Sequence, residues 1–425
     1  MKTLWQEASS FPRAVRLLFI NQFSINAGFY MLMPYLADYL AHDVHLAAWA
    51  IGLVLGIRNL GQQGMFFLGG ALADRFGYKP LIVSGLLLRT VAFVLLAVAN
   101  TLPILLLACA LIGFAGALFN PAVRAYVAQE SGDRRVSAFA MFNMFYQAGL
   151  LAGPLIGLAL LAANFQLICA VSAGLFALLS IVQAFVLPTA PRQVGNTETP
   201  PEPMRTGLAV AARNRRFLTF SLAMSVTTLL IFQTYLVLPL QLRSATTEAS
   251  AGVWTAALFG VSGLVAICAQ SPLTAWARRQ LTSRQALAGG LTIAGLAFAP
   301  LALASAVGNS AAIAVTVLVA GAALGVASAL TYPFEMDTIV TLAADRFVAT
   351  HYGVYSTITG LLVSALNLAA GATMDLATTW HAPMLPGVVL TGLGIAGGMA
   401  LHRMRHLDGP DDAAARLAPA LTKTG

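Results

Sequence analysis

Residues 80–99 read PLIVSGLLLRTVAFVLLAVA, twenty positions carrying one ionisable side chain, Arg89, at their middle. As a helix rising about 1.5 Å per residue, such a stretch measures about 30 Å, the thickness of a bilayer's hydrocarbon core. An amphipathic helix on a soluble domain shows a polar face, and this one has none. It reads as a membrane crossing, which makes lipid the solvent for whatever packs around it.

Working outward from it, similar stretches recur along the whole chain, near 17–38, 48–72, 103–126, 137–162, 166–188, 217–241, 251–275, 285–306, 310–338, 352–374 and 384–402. With 80–99 they make twelve. The composition agrees: the 425 residues are 58% hydrophobic and 9% charged, against roughly 25% charged in soluble domains. Proline and glycine inside several spans are tolerated where neighbouring helices satisfy the freed backbone groups. Alternation of the β-barrel kind is absent. The expected fold class is therefore all-α, a membrane protein of twelve transmembrane helices.

The placement of charge tests this threading independently, because short cytoplasmic loops retain Lys and Arg. With the N-terminus inside, 21 of the 24 basic residues fall on the cytoplasmic side, among them Arg75, Lys79, Arg124, Arg134, Arg135, Arg213, Arg215, Arg216, Arg278, Arg279 and Arg346. Arg243 falls outside, and Arg58 and Arg89 lie within spans. Both termini are expected in the cytoplasm, with residues 403–425 as a cytoplasmic tail. The formal net charge of +8 is thus spread over separate loops, which gives no face for nucleic acid. Cys109, Cys169 and Cys268 are scattered through spans without metal-ligand spacing and read as packing residues. No metal and no cofactor is expected.

The stretch 188–207, PTAPRQVGNTETPPEPMRTG, is rich in Pro, Thr and Glu, and residues 189–216 read as a cytoplasmic linker between residues 1–188 and 217–402, each a six-helix bundle. The bundles resemble each other. Tyr30, Pro34 and Asp38 are matched by Tyr235, Pro239 and Arg243, 205 residues on. Gly113, Ala117, Leu118, Pro121, Asp133 and Arg134 are matched by Gly325, Ala329, Leu330, Pro333, Asp345 and Arg346 at a constant separation of 212. Transporters often carry two such halves.

At the inner end of the second span stands Gly70–Pro80, GALADRFGYKP. It resembles the loop signature of the major facilitator superfamily, G-x-x-x-D-[RK]-x-G-x-[RK], in the place that family puts it. Gly77 permits a tight turn, while Asp74 suits helix N-termini or arginines of neighbouring helices. In the fifth span Gly149–Gly157, GLLAGPLIG, resembles that superfamily's exporter pattern, with Gly149, Gly153 and Gly157 allowing close helix approach and Pro154 bending the helix. Arg58, Gln62-Gln63-Gly64, residues 73–77, Lys79-Pro80 and Arg89 resemble the MdtH-type multidrug resistance transporters, over roughly residues 50–130. The resemblance implies a drug and proton antiporter with alternating access to a central cavity. It departs from the family in the fourth span, where R-x-x-Q-G reads Cys109-Ala-Leu-Ile112-Gly113, so proton coupling does not carry over by that route. Arg58 is a substitute candidate for the missing cation.

Ionisable groups within a membrane are costly unless paired or hydrated, which makes each a functional candidate. Asp38 and Arg243 are expected either to pair as a periplasmic gate or to be unrelated interfacial charges. Asp74, Arg75, Lys79, Arg124, Glu335 and Asp337 form the expected cytoplasmic gate. Glu335 and Asp337 flank Met336, the counterpart of Arg124, and either titrate with the proton or pair structurally with Arg278, Arg279 or Arg346. Gln22, Asn26, Tyr30 and Met33 recur at three- and four-residue spacing along the first span. Asn143 and Gln147 do so in the fifth, with counterparts Tyr355 and Thr359 in the eleventh. With Tyr235 and Arg58 they are candidate cavity residues for an amphiphile, the alternative being interhelical hydrogen bonds. The expected function is export of drug-like compounds, siderophores or metabolites across a bacterial inner membrane by a monomer, energised by the proton gradient; uptake by symport or facilitated diffusion is the alternative. No nucleophile and base, metal cluster or phosphate loop supports an enzyme.

Overall fold

A chain this poor in polar side chains must satisfy its backbone internally, and helices do so residue by residue. In the computed structural model, which describes residues 2–99, 101–162, 164–188, 203–246, 248–404 and 407, every regular element is helical, with no strand among the described residues. Among the described residues, nine stretches are long and apolar enough to cross a membrane. One of them, Leu102–Leu161, holds two helices, Leu102–Ser131 and Arg135–Leu161. The first two expected spans are not among them, and each is broken. The first divides into Arg13–Tyr30 and Met33–His42 just ahead of Pro34, the second into Ala48–Gln63 and Phe66–Phe76 at Gly64 and Met65. The seventh and ninth break likewise ahead of Pro239 and Pro300, since proline lacks the N–H that would continue the ladder.

Contacts divide the chain into two compact units: Met1–Arg215 with Ala343–Thr357, and Arg216–Leu342 with Ile358–Gly425. The helix Val348–Thr379 thus begins in one unit and continues into the other. Linker residues 189–202, and the tail beyond Met404 apart from Leu407, lie outside the described residues; the linker's end forms a helix, Met204–Arg213.

In unit 1 the core is aromatic, with Phe19, Phe93, Phe119, Phe139 and Phe176 fully buried and the Phe93 and Phe176 rings 5.1 Å apart. The first and fifth spans pack backbone to backbone. A Cβ at Gly149, Gly153 or Gly157 would run into the carbonyl of Phe23, Ala27 or Met31 respectively, so a four-residue row of glycines matches a four-residue row of carbonyls.

In unit 2 the eighth and tenth spans meet where Gly325 lies against the Ser262 carbonyl. Gly113, its counterpart in unit 1, lies the same way against the Arg58 carbonyl. Pro333 leaves the Ala329 carbonyl without its helical donor, and Gln270 Nε2 supplies one at 2.8 Å. The glycines of the ninth and twelfth spans, Gly295 and Gly394, touch through their backbones. Cys109 and Cys169 are buried, whereas Cys268, expected to pack inside its span, is exposed on its helix, Glu248–Gln280.

Candidate functional site

The GALADRFGYKP stretch folds as the helix Phe66–Phe76, a turn at Gly77, and the helix beginning at Tyr78. Gly77 has φ of 93°, where a side chain would be strained. That reversal leaves Asp74 facing residues 343–357, the part of the chain after the tenth span that belongs to unit 1. Asp74 Oδ2 accepts from the Thr350 backbone N–H at 2.7 Å and from the Thr350 hydroxyl at 2.6 Å, and Oδ1 from the Ala349 N–H at 3.2 Å. Residues 349 and 350 open the helix Val348–Thr379, so their N–H groups have no intrahelical acceptor and carry the positive end of the helix dipole. Withdrawal from water nonetheless pushes the Asp74 carboxyl up to about 6.

Two glycines permit this contact. A Cβ at Gly70 would strike the Ala349 carbonyl, and one at Gly353 the Phe66 carbonyl. The Thr357 hydroxyl lies 3.1 Å from the Phe67 N–H, and Arg124 Nη1 donates to the Ser356 hydroxyl at 3.0 Å. Arg135 pairs with Asp345 at 2.9 Å; this pair is exposed and contributes little. Arg75 is exposed, its guanidinium 5.4 Å from the Phe76 ring, and Lys79 is half-buried.

Of the expected cavity residues in unit 1, Gln22, Asn26, Asn143 and Tyr355 are buried, while Tyr30, Met33, Arg58 and Gln147 are half-buried. Asn26 Nδ2 donates to the Gln22 carbonyl at 2.7 Å, and its Cβ lies against Gly149. Arg58 donates to Asn59 and Gln62. The Tyr35 hydroxyl donates to the Pro154 carbonyl at 2.7 Å. Asp38 is exposed and pairs with His42 one turn on, at 2.9 Å. In unit 2, Glu335 and Thr359 are buried, Asp337 is half-buried, and Arg243 and Tyr235 are exposed. The Tyr235 ring stands 5.3 Å from that of Phe259.

The sequence reading passed over Thr350, Ser356 and Thr357. A hydroxyl in a span carries no charge to draw attention, and the signal that could have found them is Gly353, a small residue at the point of closest approach.

Residues 18–372 match the model of a family described as the Major Facilitator Superfamily. An MFS-type transporter of Mycobacterium tuberculosis is 49% identical over 400 residues, covering 94% of each chain. The multidrug resistance protein MdtH of Cronobacter sakazakii is 30% identical over 380 residues, 89% of this chain and 90% of that protein. Among solved structures, the fucose:proton symporter FucP of E. coli superposes with a TM-score of 0.71 at 14% identity, over 91% of this chain and 98% of its own.

Proposed function

Because the chain belongs to the major facilitator superfamily of membrane transporters, and so is no enzyme, we propose that it exports small amphiphilic molecules by alternating access in exchange for protons. In this reading twelve helices cross a bacterial inner membrane as a monomer, with both termini in the cytoplasm. The observation that carries it is the Asp74 contact. A carboxylate holding the first free N–H groups of the helix Val348–Thr379 is a latch that forms or breaks as a whole. Alternating access needs such a two-state element, biased by substrate and proton. Two things favour export: the glycine row Gly149, Gly153 and Gly157 against the first span, and relatives named as multidrug resistance proteins at about 30% identity. Glu335 and Asp337 are the proposed proton carriers on the tenth span, and compounds of the drug, siderophore or metabolite kind the proposed cargo.

The test is accumulation of fluorescent amphiphiles and of siderophores in cells expressing the chain, with and without a protonophore. Lowered accumulation that is abolished on uncoupling is the expected result. Raised accumulation identifies uptake instead, and export by Glu335→Gln and Asp337→Asn variants with unchanged dependence on the pH gradient removes them as proton carriers.

A further inference from the structure

Arg58 and Arg89 stand in the middle of the second and third spans, and both belong to unit 1. Arg89 is 5% exposed, so its charge sits inside the bundle, with half-buried Arg58 beside it. Both guanidinium carbons stand over one ring, that of Phe29, at 4.6 Å for Arg58 and 5.7 Å for Arg89. Arg89 also lies 5.5 Å from the Phe176 ring. Two cations sharing one ring are no farther apart than those two distances together, and they repel one another where little water screens them.

The protein offsets this charge only partly. Arg58 Nη1 and Nη2 donate to the neutral amide oxygens of Asn59 at 2.8 Å and Gln62 at 2.9 Å. Arg58 Nε and Arg89 Nε and Nη1 are buried and meet no acceptor among the described residues. No carboxylate among the described residues lies within ion-pair distance of either arginine. Stacking on an aromatic face returns only part of what withdrawing each cation from water costs. The cluster therefore lacks a negative charge, and it keeps space for its donors: a Cβ on Gly116 would stand 3.2 Å from Arg89 Nη2 and from Gln62 Cδ.

We infer that Arg58 and Arg89 together recognise the acidic group of the transported molecule, so that its substrates are amphiphilic anions carrying a carboxylate or a comparable small oxyanion. A planar carboxylate matches the guanidinium fork with two parallel hydrogen bonds and supplies the missing charge. Half-buried Arg58 is the approach, and the deeper Arg89 supplies two of the three unsatisfied donors. Tyr30, its ring edge-on to Phe29 at 5.1 Å, is half-buried at the same place. This inference rests on the transporter reading above and names its substrate class.

The experiment is ligand binding to the full chain in lipid nanodiscs, followed by thermal unfolding, with three probes of one shape: 1-naphthoate, 1-naphthalenemethanol and 1-naphthylmethylammonium. Naphthoate is expected to raise the unfolding midpoint where the alcohol and the ammonium do not. Arg58→Gln and Arg89→Gln should each weaken naphthoate binding roughly tenfold or more. Should Arg89→Gln fail to fold, Arg89→Lys keeps the charge without the fork and should still weaken binding. Equal binding of the three probes by the unmodified chain, or naphthoate binding that survives both Gln substitutions, overturns the inference. Naphthoate selectivity in a chain that proves to import its substrate supports this inference and refutes the export reading alone.

Discussion

At the scale of single residues, Asp74 shows how one side chain links the sequence motif to a conformational contact. It accepts three hydrogen bonds from Ala349 and Thr350, and an amide in its place would turn one donor toward another. Asp74→Asn is therefore expected to lower transport about tenfold or more, since hydrogen bonds to a charged group contribute about 1.5–3 kcal/mol, while the chain still folds; initial transport rates together with thermal unfolding check this. The sign of the pH effect follows from burial. The carboxyl titrates at about 6 when held against the helix, raised from 3.8, so the held arrangement binds the proton more tightly than the released one. Its stabilisation is full below the ordinary carboxylate range and fades as pH rises through 6. Hydrogen exchange at the Ala349 and Thr350 amides, corrected for intrinsic rates, should accordingly slow as pH falls from neutral toward 5, and Asp74→Asn should abolish that dependence.

At the scale of elements, the two halves solve one problem with different residues. Pro121 and Pro333 occupy equivalent places in the fourth and tenth spans, and each deprives the carbonyl four residues earlier, Ala117 or Ala329, of its helical donor. In unit 1 the Ala117 carbonyl is approached by Gly69, whose missing side chain lets two backbones meet. In unit 2 an amide from the eighth span donates to Ala329. Gln270→Leu keeps the volume roughly constant and removes that donor. It should destabilise the chain by about 1–2 kcal/mol, read from its unfolding in detergent. The correspondence of these prolines was legible in sequence because proline positions answer to backbone geometry. The change of device was not, since Gln270 and Gly69 lie on partner helices outside the matched positions.

At the scale of the whole molecule, the distribution of Lys and Arg makes a topological prediction that labelling checks. In a variant carrying Ser at Cys109, Cys169 and Cys268, a cysteine at Gly132, between the fourth and fifth spans, should react with an impermeant maleimide only after the cells are opened. One at Asn309, between the ninth and tenth spans, should react in intact cells. Reaction of both from one side would refute the threading.

The amino-acid sequence by itself determined the solvent, the helical class and the family. All of these rest on hydrophobicity over about twenty residues, on where charge cannot go, and on glycines and prolines that backbone geometry demands, and each is a property of a local stretch. Only the tertiary structure decided that the start of the eleventh span belongs with the first unit, where Asp74 holds it, and that Arg58 and Arg89 share the ring of Phe29 with no carboxylate among the described residues beside them. Those facts depend on which side chains meet across helices distant in sequence. The Arg89 at the middle of residues 80–99 marks a costly charge, and its surroundings then show what that charge lacks.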